Sequence, residues 1–371
     1  MKKVTIFIVV IMFSCTRTTT TNTAIKSLDI FSHQVSKIDY DSISIVRLES
    51  ERNILLGDQL KMKLNHGEIF IADLGVQHCI FRFDSNGKFI CKIGTEGKGP
   101  QEYLNLIDFI IHGDTIDILS GMGANSMVTG YLTDGNFLYS KTIKLIATSF
   151  EKLKSKYIFY TGYNKKFHKF RMYITSEDGK TEKTFLPNKT ELNLPVFENN
   201  FFKTDSLIYI KESFNNQVYS LSEKGLTEIY LLDFDKYAIP TVFFDNSLIK
   251  GFEMLNKHGF ANIKSFYATN DLSIFEITVQ KQKQETLIYD VVYDKGSECL
   301  YHRSFSENDN YYFANLVSVT SNNELVYSVY PSFFIKRKKD FESLPIVNPQ
   351  IINDIQEMDN PILFFCKIKK K

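Results

Sequence analysis

The stretch IFIADLGVQHCIFRFDSNGKFICKIGTEGKGPQEY, Ile69 to Tyr103, decides the fold. Within it, Ile69 to Asp73, Cys79 to Phe83 and Phe89 to Ile93 are short runs rich in β-branched and aromatic residues, separated by turn formers. Such runs read as strands. The last two are joined by Asp84-Ser85-Asn86-Gly87. Asn-Gly between apolar runs signals a hairpin, because both central positions of the favoured turn take positive φ. An antiparallel meander is expected, with Ser85 opposite Lys88 and Cys79 opposite Gly94.

The unit recurs. A glycine after a polar or acidic turn, flanked by apolar runs, stands at Gly87, Gly135, Gly179, Gly225 and Gly296, in steps of 48, 44, 46 and 71 residues. The first three steps match the roughly 40–50 residues of a four-stranded propeller blade. Removing an extra segment from Lys236 to Phe260 restores the period in the fourth step. Five turns therefore mark five blades. Tyr311 to Val319, Leu325 to Val329 and Ile362 to Ile368 leave a sixth that lacks one strand, and Ile43 to Leu48 is an alternating run without a hairpin partner. A ring must close or expose unpaired edges, so Ile43 to Leu48 is the expected outer strand of blade six. The fold class is all-β: a six-bladed β-propeller of four-stranded antiparallel blades, closed by an N-terminal strand.

The chain opens Met-Lys-Lys, and Val4 to Phe13 is an apolar run of ten residues. That is short of the roughly 20 a spanning helix needs, and it reads as a signal peptide over residues 1–14. Met12-Phe13-Ser14-Cys15 resembles the lipobox of bacterial lipoproteins, in which the cysteine, here Cys15, becomes the acylated first residue; an ordinary signal peptide with an incidental cysteine is the alternative. Thr16 to Thr23 is a polar low-complexity stretch suited to a tether, placing the lipidated end over 15–27 and the propeller over 28–371.

Among 371 residues, 43% are hydrophobic, with 32 Phe, 20 Tyr and no Trp, enough for a large β core. With 44 basic and 43 acidic residues well mixed, there is no footprint for nucleic acid. Cys79, Cys91, Cys299 and Cys366 form no CxxC pair, and Cys79 and Cys91 are about three residues out of register across their hairpin. All four read as small buried residues. Gly94 to Pro100, GTEGKGP, has no Lys-Ser/Thr and leads into another strand-like run. It reads as a crossing between blades rather than a phosphate loop.

The run from Ile80 to Tyr103, followed by Asp108-Phe109, and the late Asp359-Asn360-Pro361-Ile362-Leu363 resemble the signature of the six-bladed β-propeller lipoproteins of Bacteroidetes, distant from NHL-repeat propellers. Gln101 stands where that pattern usually has glycine. The resemblance implies a propeller, a lipid anchor and an envelope address; it carries over no catalytic residues. Arg17 and the threonines after Cys15 replace the acidic cluster of surface-displayed relatives, which points to the periplasmic side of the outer membrane.

Two insertions are candidate recognition elements, since propellers bind through rim loops and the central channel. In the first, about 236–260, Leu248, Ile249, Phe252 and Leu255 have helical spacing, with Asp245 or Asn246 as cap and Gly259 as stop. The second, about 331–360, carries Lys336, Arg337, Lys338 and Lys339 and reads as a solvated loop. Histidines 33, 66, 78, 112, 168, 258 and 302 show no HxH or HExxH spacing, and there is no GxSxG elbow. No catalytic, cofactor-binding or metal residue is therefore assigned. Asp108 and His112 lie on an expected inner strand, which leaves room for a divalent metal assembled from several blades. A binding platform for a protein, peptide or glycan leads over a metal-dependent propeller hydrolase or lyase. Lack of Trp weighs against glycan stacking, although Tyr can substitute.

Overall fold

The structure, a computed structural model, describes residues 25–31, 36–189, 193–194, 199–205, 207–281, 284–305 and 315–369. The expected signal peptide and Cys15 lie outside them. Three strands come first: β1 (Lys26–Asp29), β2 (Ser36–Lys37) and β3 (Tyr40–Arg47). Then β4 (Leu60–Asn65), β5 (Glu68–Asp73), β6 (Cys79–Phe83) and β7 (Phe89–Ile93) make the first antiparallel sheet. The second holds β8 (Leu106–His112), β9 (Thr115–Met122), β10 (Asn125–Leu132) and β11 (Phe137–Ile143). The third holds β12 (Ser149–Leu153), β13 (Lys156–Tyr160), β14 (Phe170–Thr175) and β15 (Thr181–Pro187). Blade four is β16 (Phe201–Lys203), β17 (Ile208–Lys211), β18 (Gln217–Ser222) and β19 (Gly225–Asp233). Blade five is β20 (Phe260–Ala268), β21 (Leu272–Gln280), β22 (Leu287–Asp294) and β23 (Leu300–Phe305). In blade six, β24 (Leu316–Val319), β25 (Glu324–Val329) and β26 (Ile362–Ile368) are completed by β3. The first strands neighbour one another around the ring, β8 with β12, then β16, β20, β24 and β4, so the molecule is a six-bladed β-propeller.

Closure takes the expected form. β3 runs antiparallel to β26, from Ile362 opposite Arg47 to Cys366 opposite Ile43. The Asn360 carboxamide clasps the junction: Nδ2 donates to Glu49 O (2.7 Å) and Ile54 O (2.9 Å), and Oδ1 accepts from Leu56 N (2.8 Å). β1 and β2 were not legible as strands. Each adds in parallel to the outer edge of another blade, β1 to β19 and β2 to β23, so the first described strand starts at Lys26, inside the expected tether.

The five glycine turns all join third to fourth strands, and the sixth such join is the chain closure itself. At Gly87, Gly135 and Gly179 the turns differ from expectation. Only the glycine takes positive φ, 83°, 93° and 82°, and each glycine N–H returns to the carbonyl three residues before it. A bulge therefore replaces the two-residue turn, and Phe83 faces Phe89; beyond it Arg82 faces Cys91 and Ile80 faces Ile93, the register read from sequence. Cysteines 79, 91, 299 and 366 are all free, but only Cys79 and Cys366 are buried; Cys91 is half-buried and Cys299 exposed. Hydrophobic layers fill the spaces between blades, such as the near-parallel Phe150 and Phe159 rings, 6.0 Å apart between blades two and three.

Strand alternation gives the propeller two unlike faces. First-to-second and third-to-fourth connections emerge on one face, and all are tight turns. Second-to-third and blade-to-blade connections emerge on the other, and both insertions are among them. The first insertion forms helix α1 (Leu248–His258), stopped by Gly259 at φ 81° as expected but preceded by Ser247 rather than Asp245 or Asn246. Its Leu255 packs with Phe243, Phe260 and Tyr163. The second is no solvated loop: α2 (Pro331–Lys336) and α3 (Lys338–Glu342) bury Phe334 and Phe341 against Phe364 of β26, while Lys336 and Lys339 stay exposed. Phenylalanines spaced seven apart outweighed the basic run between them.

Candidate functional site

On the insertion face the central channel opens into a cavity of about 450 Å³, lined from the starts of β4, β20 and β24 and the end of β17. Lys61, Lys211 and Lys264 contribute its charge, and no carboxylate is among the described lining residues. Asn199, Asn262, Asn315 and Gln280 add carboxamides, with Ser213, Ser265 and Thr278 hydroxyls beside them. The Tyr267 ring supplies an aromatic wall, held edge-on by Phe202 at 5.3 Å.

Two inner strands owe their aim to bulges. In β20, Ile263 faces Ile277 and Ser265 faces Glu276, so Lys264 is the extra residue; in β24, Val317 is extra between Leu316 and Ser318. A bulge re-aims a side chain, and both of these line the cavity. Lys264 Nζ bonds Glu276 Oε1 at 2.9 Å, and Lys61 Nζ lies 2.6 Å from Asp108 Oδ1. Burial lowers the Lys61 ammonium from its ordinary range against the pull of Asp108.

The channel has a floor one pleat further along β4. Lys63 of blade one reaches across to Glu151 of blade three at 3.9 Å, and Lys203 of blade four meets the same carboxylate at 3.8 Å and bonds Lys152 O at 2.9 Å. Behind the wall, Glu276 and Asp290 face each other across β21 and β22, and both are buried. Asp290 Oδ2 accepts from Arg303 (2.7 Å) and Tyr327 (2.9 Å), whereas Glu276 Oε2 and Asp290 Oδ1 have no hydrogen-bond partner. Burial pushes Glu276 up to about 7, opposed by Lys264 and reinforced by Asp290; burial also raises Asp290.

The structure places Asp108 and His112 on inner strand β8 but does not bring them together. Asp108 takes Lys61 and the Phe109 and Phe150 amides, while His112 Nε2 pairs with Asp117 at 2.8 Å. Burial would raise Asp117, but hydrogen bonds from His112, Tyr139 and Tyr157 hold it below the usual carboxylate range. Among the described residues no group of three His, Cys, Asp or Glu is placed to hold a metal. GTEGKGP is the expected crossing from β7 to β8, folded on itself by Gly99 N to Glu102 Oε2 (2.7 Å) and Gly97 N to Tyr103 O (2.8 Å). The cavity residues had no local signal in the sequence, because they are scattered over blades one, four, five and six and span positions 60–317.

Residues 17–367 match the family described as Domain of unknown function (DUF4934). The chain belongs to this family. Among solved structures, this DUF4934 chain is similar to a Bacteroides fragilis protein assigned as exported, at 17% identity and a TM-score of 0.75, covering 94% of this chain and 100% of that one. Likeness at this identity speaks to the propeller fold alone. BamB from Moraxella catarrhalis aligns at 8% identity and a TM-score of 0.40, over 88% of this DUF4934 chain and 98% of that one. No curated protein matches the DUF4934 sequence.

Proposed function

We propose that this protein is a lipid-anchored binding protein of the bacterial cell envelope, held through Cys15 at the outer membrane and facing the periplasm, whose channel cavity receives a protein, peptide or glycan ligand. One observation carries the reading: among the described residues the open cavity and both insertions share one face, whereas the strand-to-strand connections on the opposite face are tight turns. Evolution of length on one rim is how a rigid scaffold acquires recognition elements. A cavity of about 450 Å³ lies within the range of small-molecule sites, roughly 300–1,000 Å³. The leader, Cys15 and the threonine tether support the address, as does the exported status assigned to the Bacteroides fragilis neighbour.

The anchor is tested by lipid labelling and detergent partitioning of the full chain and its Cys15→Ala variant. Labelled wild type and unlabelled, water-soluble variant are expected. Equal partitioning of the two would reject the anchor.

A further inference from the structure

We propose that the rim built by the first insertion and the neighbouring β13–β14 connection rests on the surface of a lipid bilayer, the one that receives the acyl chains of Cys15. This rests on the reading of Cys15 as a lipid anchor and adds the surface through which the propeller meets the membrane. Val242, just before α1, and Leu248 and Ile249 in its first turn are exposed, Ile249 at 73%, although Phe243 and Leu255 of the same insertion are buried. The β13–β14 connection is held beside them, because the Tyr163 ring stacks on Phe244 at 5.5 Å. Four residues after Tyr163 it exposes Phe167, at 56%. Single exposed apolar side chains are ordinary, but a group of them marks a docking surface. No exposed large apolar side chain stands in the described tight turns of the opposite face.

Charge and chain length point to lipid. Within 164–170 and 235–258, six exposed lysines stand against three exposed carboxylates, whereas the whole chain is balanced. The second insertion, over 331–360, has four basic and five acidic residues and lacks that excess. Apolar side chains fringed by lysines suit the boundary of an anionic bilayer, where the apolar groups sink roughly 5–10 Å and the ammonium groups meet phosphates. The bilayer is also within reach. β1 runs along β19 toward the insertion face, and Phe31, just past its end, meets the Tyr237 ring of the insertion edge-on at 5.8 Å. Lys26 to Phe31 is about 17 Å of extended chain. The ten residues between Cys15 and Lys26 span up to about 35 Å, so an anchored Cys15 can lie level with the patch. A tether this short holds the patch at high effective concentration over the bilayer, and a small contact then suffices. None of these side chains lines the channel cavity, so docking of the rim leaves the cavity wall uncovered.

The chain has no Trp, so a single introduced tryptophan reports its own surroundings. The test places Ile249→Trp or, on the tight turn between β12 and β13, Ser155→Trp in the lipidated protein; both positions are exposed. Each variant is reconstituted into vesicles of phosphatidylcholine, alone or mixed equally with phosphatidylglycerol, with part of the lipid brominated along its acyl chains. In mixed vesicles the reporter at 249 is expected to shift to the blue and to be quenched at least about threefold more than the reporter at 155. Without phosphatidylglycerol the quenching is expected to weaken. Adding Lys166→Glu and Lys250→Glu, both at exposed positions, is expected to reverse the blue shift while mass spectrometry still shows an acylated Cys15. An acylated protein whose reporter at 249 is quenched no more than that at 155, or ignores the two charge reversals, would overturn the docking and leave the anchor standing. A blue shift without bromine quenching would do the same, since it is the sign of contact with protein rather than lipid. An unacylated Cys15 would reject the anchor and the proposal with it.

Discussion

Glu276 is expected to cost the fold stability at neutral and alkaline pH, and Glu276→Gln to remove that cost. Its carboxyl is buried opposite Asp290, with Oε2 unpartnered, and is pushed from 4.5 up to about 7. Between those two values the folded chain holds a proton that the unfolded chain releases. Stability from this group is therefore full below 4.5 and is lost as pH rises through about 7. A rise of this size corresponds to about 3 kcal/mol, at roughly 1.4 kcal/mol per pH unit. An amide is neutral throughout and can donate to the Oδ1 of Asp290, while Lys264 is partly exposed and tolerates losing its partner. Thermal unfolding from pH 5 to 8.5 should show the variant gaining on wild type as pH rises, by on the order of 4 °C, using an unfolding entropy of about 2 cal/mol/K per residue. Burial lowers the pKa of His168, which acts in the opposite sense but is common to both proteins and cancels in the difference. A difference that stays flat with pH, or shrinks as pH rises, would show that the fold does not hold a proton on Glu276.

Further outcomes follow from the closure and the glycine crossing. Asn360→Ala removes three hydrogen bonds from a buried carboxamide to the backbone of the segment that follows the closing strand, at about 1 kcal/mol each, so urea unfolding should show a loss of about 3 kcal/mol; a change below about 0.5 kcal/mol would mean that the clasp does not hold the ring. Gly94→Ala should cost more than about 2 kcal/mol, because φ is 77° and a Cβ would sit 2.6 Å from the buried Tyr103 ring. Wild-type stability in that variant would show that the crossing shifts freely. Arg303→Met leaves the buried Asp290 carboxylate without its guanidinium and with the Tyr327 hydroxyl still donating, and a loss of about 3–5 kcal/mol at pH 8 should shrink at pH 5 as the carboxyl takes a proton. A loss independent of pH would point to lost packing instead.

Much of this fold is local and was therefore legible. Period-two apolar runs and recurrent glycine turns mark each blade, and the missing sixth turn identifies β3 as the strand that closes the ring. What escaped was non-local. β1 and β2 are four and two residues long and gain their hydrogen bonds only from finished blades, so nothing in Lys26–Asp29 or Ser36–Lys37 marks them. The basic run at 336–339 misled because its short helices are held by two buried phenylalanines rather than by their own composition. The cavity was illegible for the same kind of reason: Lys61, Lys211 and Lys264 are far apart in sequence and meet only when the ring closes. The bulge at Lys264 has no signature that distinguishes it from an ordinary strand position.

Ligand is expected to enter the channel from the insertion face. Hydrogen exchange of the full chain, with and without size-fractionated envelope saccharides and peptides, is the deciding measurement. Protection is expected at the start of β4, along β20 and at the start of β24, residues 60–62, 262–267 and 315–317, while the tight turns around Gly87, Gly135 and Gly179 exchange as before. Protection confined to those turns or to the outer strands, with the channel strands unchanged, would contradict it.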